Sequence, residues 1–346
     1  MPPRRLTNLV LLGLVCALAA SGVLGWVLPA ETAWPFWHAH RALGVALMLA
    51  LASKLSIARS SLRRRVPRPA LRWTVVPGVL AGLSLLGSVA LGVAWTLNLV
   101  SFDTFWGYSP LNVHVQLGLL LLPLMGWHAL RRWERRPALA SLVDRRAVLR
   151  LTGLAGLALV GWPLLTWAAE ARAADRARRP TGSKHAGSFS ANAYPVTIWL
   201  FDAVPVLDAS SWRLAVVGNV PVPLGVSLAE LTSLPPRSYA AVLDCTGGWW
   251  SEQVWSGVSV GDLLARAGVP PTAGETAVEP EAREATVVSV TGHRWPFPLD
   301  ELRGALLATH VGGEELTTGH GYPVRLVIPG RRGFQWVKWV DRIEVA

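Results

Sequence analysis

The chain has little cysteine, two residues in 346, and little methionine or tyrosine, with 3 and 4. Cys16 sits in an apolar N-terminal run and Cys245 in a stretch rich in Gly and Trp, so no disulfide framework staples the fold. A C-terminal portion of ~160 residues can build a core without one. Acidic residues are also scarce: 22 Asp and Glu stand against 33 Lys and Arg, for a net charge of +11. Such an excess can mark nucleic-acid binding when it forms a patch. Here it does not. Charge is nearly absent from five long runs, 6–28, 41–58, 75–100, 113–130 and 148–169, and Lys and Arg are missing from the connecting segments 29–40 and 101–112.

What is present fits a membrane. A run of ~20 apolar residues crosses the ~30 Å hydrocarbon core as a helix, so the five runs predict five transmembrane helices: a four-helix bundle plus a fifth, tethering helix. The basic residues cluster in alternate connections. Arg4 and Arg5 precede the first run. Arg59, Arg63, Arg64, Arg65, Arg68 and Arg72 follow the second, and Arg131, Arg132, Arg135, Arg136, Arg145 and Arg146 separate the fourth from the fifth. Basic segments stay cytoplasmic, which predicts an N-terminus inside a bacterial cytoplasmic membrane and residues 170–346 outside it. Trp34, Trp37 and Trp106 fall in the outer connections, as an interfacial aromatic belt would. Lipid is the expected partner of this half, and nucleic acid is not expected.

The segment DRRAVLRLTGLAGLALVG (144–161) resembles a twin-arginine export signal, with Asp144 where Ser or Thr is usual. Such signals export proteins already folded around a cofactor. AEARAAD (169–175) contains an A-x-A pattern, but the helix is expected to stay as an anchor. Residues 170–190, rich in Ala, Arg, Gly and Ser, then read as a flexible tether. The expected domains are a bundle over 1–135, the signal-like segment, fifth helix and linker over 136–187, and a catalytic domain over 188–346.

Intramembrane histidines are functional hypotheses. His40 opens the second helix in WHAHRALG (37–44), and His114 opens the fourth in NVHVQLG (112–118). Both helices run from outside to inside, which places the two imidazoles at one depth, as a six-coordinate haem iron requires. Gly44 and Gly118, each four residues later, leave room for a porphyrin. The pattern resembles four-helix membrane b-type cytochromes, which implies haem b. His128 lies 14 residues beyond His114, ~21 Å along a helix, where a second haem would sit. The matching position after His40 is Lys54. A single haem is the simpler expectation; Lys54 as a ligand, or Lys54 and His128 at a quinone or proton path, stay open. His38 is expected at the interface.

The C-terminal part alternates short apolar runs with Gly and Pro. Strands are expected at 212–220, 240–245, 285–292, 324–330 and 339–346, and short helices at 227–234, 259–268 and 299–308, an α+β pattern. An isolated cysteine is most often a buried structural one. However, LDCTGGWWSEQVWSG (243–257) and GHGYPVRLVIPGRRGFQWVKWVDRIEV (319–345) together resemble the molybdopterin-binding domain of the sulfite oxidase family. That resemblance implies a fold, a molybdopterin cofactor and Cys245 as the molybdenum thiolate. A soft anionic ligand of this kind tunes the metal. It also implies cofactor contacts from His320, Arg325 and Lys338, joined by backbone at Gly321, Gly330 and Gly333. Asn192, Tyr194, Thr246, Trp250 and Tyr322 are candidates for the pocket, each equally readable as packing. Sulfite oxidases carry an arginine shortly after the metal cysteine; here Thr246, Gly247, Gly248, Trp249, Trp250 and Ser251 follow, which argues against an anionic substrate. The combination resembles the bacterial periplasmic methionine sulfoxide reductase system, in which a molybdenum subunit takes electrons from a haem-bearing membrane partner; that resemblance implies oxygen-atom transfer on a small molecule, with reduction of S-oxides first, coupled to quinone through haem. The alternatives are an oxidase of a small sulfur or neutral compound on a passive anchor, and a non-redox protein of the same fold.

Overall fold

Five long helices come first in this computed structural model, which describes residues 4–66, 75–102, 105, 108–132, 145–172, 178–198, 203–269 and 284–346. They are α1 (Arg4–Val27), α2 (Ala30–Arg65), α3 (Val76–Thr96), α4 (Pro110–Arg132) and α5 (Arg145–Ala171). Trp106, Arg68, Arg72, Arg135, Arg136 and Asp144 lie outside the described residues. Among those residues, four helical stretches are long and apolar enough to cross a membrane: Leu6–Val27, Val76–Thr96, Pro110–Leu130 and Leu151–Ala171. The bent pair Ala30–Ala52 and Ile57–Arg63, at 46°, makes a fifth if counted as one span.

The second helix starts earlier than its apolar run. Residues 29–40 read from sequence as a connection, yet α2 begins at Ala30, directly after Pro29, with Glu31 favourably placed in its first turn. His40 therefore lies more than two turns inside the helix. Tertiary packing outweighs local polarity here: Trp37 lies against Gly25, His40 against Gly22, and His38 edge-on to Trp162 at 5.2 Å.

Leu11, Val15, Leu47, Ala50, Ala81 and Leu121 form one core drawn from α1, α2, α3 and α4. The fifth helix joins through Ala158, packed with Val45 and Ala46 of α2. The outward faces carry Leu83, Leu157, Leu159, Val160, Leu164 and Trp167, all largely exposed. In a water-soluble bundle that face would be polar.

Contacts divide the chain into two units, Met1–Gly182 and Ser183–Ala346. The expected tether over 170–190 is, from Ser183 on, part of the second unit. Its β1 (Lys184–His185) pairs in parallel with a later strand, and Lys184 N donates to Gly248 O at 2.8 Å.

The second unit continues with β2 (Arg213–Gly218), β3 (Leu224–Ser227), α6 (Leu228–Thr232), β4 (Arg237–Cys245), β5 (Trp249–Ser259), α7 (Val260–Arg266), β6 (Glu284–Ser289), β7 (Arg294–Pro298), α8 (Leu299–Arg303), β8 (Leu306–Val311), β9 (Glu314–Glu315), β10 (Arg325–Val327) and β11 (Val340–Val345). Among the described residues, one sheet runs β1-β5-β8-β10, with β4 on β5 and β9 on β8; the other runs β3-β2-β11-β6-β7. The expected α+β class holds. Ser227 and Ser259 cap α6 and α7, the first with Glu230 completing a capping box. The helix expected over 299–308 instead ends at Arg303, and its second half becomes β8, buried along most of its length. Gly304 caps the helix, and LLATHV then finds hydrogen-bond partners on both sides, in β5 and β10.

Candidate functional site

Cys245 is the last residue of β4 and pairs across the tight turn with Trp249, the first of β5. Gly248 N closes the turn onto Cys245 O at 3.0 Å, and Gly247 N donates to Cys245 Sγ at 3.3 Å. Thr197 hydrogen-bonds the same thiol and accepts from Trp249 Nε1 at 2.9 Å. Gly333 presses on the other side: a Cβ there would sit 2.9 Å from Cys245 Cα. Burial pushes the Cys245 thiol up, against the opposing pull of the Gly247 amide, Thr197, Lys338 and Arg332. A bare thiolate in this place needs a cation or a metal.

Three buried or half-buried cations surround it. Arg325 is 1% exposed. It donates through Nη1 to His320 O at 3.1 Å, lies over the Trp255 and Trp336 rings at 5.0 and 5.8 Å, and has an Nε with no hydrogen-bond partner. Lys338 Nζ donates to Thr197 O at 3.0 Å and Gly319 O at 2.6 Å. Burial, with Arg325 beside it, holds the Lys338 ammonium down to about 7. Arg332 pairs with Asp244 at 2.6 Å, both almost fully buried, and Ser183 Oγ donates to the same carboxylate at 2.7 Å. Arg332, Thr197 and Ser183 do not stand out in the sequence. The one signal for Arg332 is its place in PGRRGF; its neighbour Arg331 turns outward to Glu301.

Of the predicted cofactor contacts, Arg325 and Lys338 come together with Cys245. His320 plays another part. Its Nε2 donates to Tyr194 O at 3.0 Å, and its Nδ1 accepts from Thr317 Oγ1 at 2.7 Å. Burial first, then Arg325, hold it down to about 4, so it is neutral and positions the Tyr194 segment. Tyr194 stacks on His320 at 4.1 Å and meets Arg325 Nη1 with its hydroxyl at 3.4 Å. Asn192 likewise positions a loop, bonding Glu314, Glu315 O and Thr317 N. At Gly321, with φ of 112°, a Cβ would meet Arg325 Cβ at 2.9 Å, so the chain passes tightly over the arginine. Gly330 turns the chain after β10, Thr246 lies in the Cys245 turn, Tyr322 is half-buried, and the Trp250 ring lies 4.8 Å from that of His185.

The helical unit brings His40 and His114 together, with ring centroids 6.0 Å apart. Each commits Nδ1 to a carbonyl of the preceding helix: His40 to Leu18 O at 3.0 Å, His114 to Ser88 O at 2.7 Å. Each also rests on a glycine four residues beyond that carbonyl, Gly22 and Gly92, where a Cβ would lie 3.1 and 3.0 Å from the ring. An Nδ1–H held by a carbonyl fixes the tautomer that leaves Nε2 as a metal ligand. His128 repeats the glycine contact, on Gly78, but the corresponding α2 residue, Lys54, donates to Asn8 Oδ1 at 2.6 Å. His38 packs edge-on to Trp34 and Trp162. No cluster of three or more His, Cys, Asp or Glu able to hold a metal ion forms among the described residues. A metal at Cys245 or at the histidine pair would draw its remaining ligands from a cofactor.

Residues 201–346 match the family described as oxidoreductase molybdopterin binding domain. An NADH nitrate reductase of Brassica napus is 31% identical over 169 residues, 41% of this chain and 18% of that protein. A mitochondrial sulfite oxidase of Macaca fascicularis is 31% identical over 166 residues, covering 41% and 30%. A sulfite oxidase of Arabidopsis thaliana is 26% identical over 206 residues, covering 49% and 52%. The chain thus spans about half or less of the length of these relatives. The C-terminal unit, with Cys245 at the end of β4, is an oxidoreductase molybdopterin binding domain of the sulfite oxidase and nitrate reductase type.

Proposed function

We propose that this chain is a membrane-anchored molybdopterin oxidoreductase that transfers an oxygen atom at a centre bound by Cys245. The reaction takes place outside the cytoplasmic membrane, and electrons are exchanged with the quinone pool through a haem b ligated by His40 and His114. The observation that carries the reading is the buried Cys245 thiol, enclosed by Thr197, Gly247 and Gly333 and neighboured by Arg325, Arg332 and Lys338. The residues fit the cofactor: a lone soft ligand, cations in excess of carboxylates, and buried Nε atoms of Arg325 and Arg332 without partners. Cys245 would ligate the metal, and the cations would hold the anionic part of the pterin. When bound, the cofactor supplies the two-electron change that oxygen-atom transfer needs. Neutral His320 and Asn192 keep the Tyr194 and Thr317 segments in register, which fixes Arg325 and Lys338 in position.

The histidine pair fits a porphyrin on the same terms. Both Nδ1 atoms are committed to carbonyls, and at Gly44 a Cβ would meet nothing within 4 Å. When bound, haem supplies one-electron transfer between quinone and the molybdenum domain. The basic connections support a cytoplasmic N-terminus, and the Arg145–Arg146 pair supports export of a folded, cofactor-loaded domain.

The substrate class favoured is an S-oxide, methionine sulfoxide among them. The run from Thr246 to Ser251 offers aromatic and small side chains and no cation, unlike a pocket built for an oxyanion. The relatives' names include both a reductase and an oxidase, so fold does not set direction. The test is molybdenum analysis and a reduced-minus-oxidised spectrum on the purified full-length protein, followed by turnover of S-oxides with a quinol analogue. Molybdenum, a b-type spectrum and quinol-driven reduction are expected. Protein without molybdenum from cofactor-competent cells sinks the enzyme reading.

A further inference from the structure

The end of the helical unit that holds His40 and His114 also gathers positive charge. Arg41 follows His40 on α2 and lies within electrostatic reach of His38, His40 and Arg178. Its guanidinium rests against Gly182, where a Cβ would be 3.6 Å from Nη2. Arg178 belongs to the segment after α5. Through Nη2 it donates to Trp95 O at 2.7 Å and to Asn98 Oδ1, and its buried Nε has no hydrogen-bond partner. Trp95 Nε1 donates to Gly182 O at 3.3 Å, which fastens this segment to the C-terminal end of α3. Burial first, then Arg41, pull the Arg178 pKa down to about 10, as expected when two guanidinium groups share a partly desolvated place. The acidic residue acting on Arg41 is Glu170, itself exposed. Among the described residues, two cations thus face one solvated carboxylate, and buried charge of this kind calls for an anion.

A porphyrin of the b type carries two propionate carboxylates, and the guanidinium fork matches a carboxylate in charge and shape. We propose that Arg41 and Arg178 receive the propionates of the haem ligated by His40 and His114. This rests on the haem reading above. The segment 178–182 then covers the cofactor edge as well as leading into the next unit.

The test compares wild-type full-length protein in detergent with Arg41→Gln, Arg178→Gln and the two Lys variants. Haem per protein, haem retention against a competing apo-protein, and the haem midpoint potential are measured. Loss of one charge-assisted pair is expected to weaken retention about tenfold. It also shifts the potential downward, because a nearby cation favours the reduced iron. Lys should restore the potential. Haem-free wild-type protein should bind protohaem better than its dimethyl ester, and the Gln variants should lose that preference. Unchanged retention and potential in both Gln variants, or equal binding of acid and ester by wild type, overturns the propionate assignment and leaves the haem reading intact. The same follows if haem is lost but Lys restores nothing, which marks a purely structural role. Wild-type protein without haem overturns both.

Discussion

Replacing Asp244 with Asn removes one charge and almost no volume, at a place where the consequence is calculable. Asp244 and Arg332 lie 2.6 Å apart with side chains 5% and 3% exposed, and Ser183 Oγ adds a hydrogen bond to the same carboxylate. Removing one partner of a buried pair leaves the other charged in a low dielectric, at a cost of about 3–5 kcal/mol. For a unit of ~160 residues that is a fall in Tm of roughly 6–20 °C. Arg332→Met should cost a similar amount by taking the guanidinium away from the buried carboxylate. The double change Asp244→Asn with Arg332→Met should cost less than the sum by about 2 kcal/mol, because no orphan charge remains. Thermal unfolding of the full-length protein, followed by tryptophan fluorescence, gives the three values. Molybdenum content on the same samples separates loss of cofactor from loss of fold. A single variant that unfolds within about 2 °C of wild type, or strict additivity in the double, would refute the claim that this pair is desolvated and coupled.

Other outcomes follow from single contacts. Cys245→Ser should fold, since the site already buries the side chain, yet lose turnover by more than about 100-fold, beyond what loss of an outer-shell partner costs; kinetics at matched molybdenum content check it. Gly257→Ala places a Cβ 2.0 Å from Leu307 O at the irregular step between β5 and β8, so denaturant unfolding should show a loss of at least about 1–3 kcal/mol. Ser227→Ala removes the capping box of α6 at a half-buried site and should cost only about 1 kcal/mol, with activity unchanged. His40→Ala should abolish the b-type difference spectrum while leaving the molybdenum content of the second unit as in wild type.

The sequence makes some of this legible, and the reasons differ by element. Length and apolarity over ~20 residues are local properties, so the helices of the first unit can be read directly. Where α2 begins cannot be, because Trp37, His38 and His40 are helical through packing on Gly25, Trp162 and Gly22, residues near in space and distant or separately read in sequence. The strands β2, β4, β6, β10 and β11 carry short apolar runs between turn residues and are readable, whereas β8 merges with α8 because LLATHV follows the helix after only Gly304 and Ala305. The longest strand among the described residues, β5, lies inside the motif that reveals Cys245, where no strand is expected from the sequence.

The candidate site shows the same division between what a motif announces and what only folding assembles. Cys245, Arg325 and Lys338 stand out because the resemblance points to their types and spacing. Arg332 does not, since a second arginine in RR looks like surface charge. The backbone at this point decides otherwise: Asp244 and Arg332 bridge in parallel, so Arg332 turns toward Asp244 while Arg331 turns toward Glu301. His320 shows the converse, a residue of the right type in the right motif whose two ring nitrogens are both engaged by Thr317 and Tyr194. Residue type predicts the chemistry a side chain can perform. Whether it is available for that chemistry depends on its hydrogen-bond partners, and for His320 one of these is a near neighbour, Thr317, while the other, Tyr194, comes from a segment more than a hundred residues away.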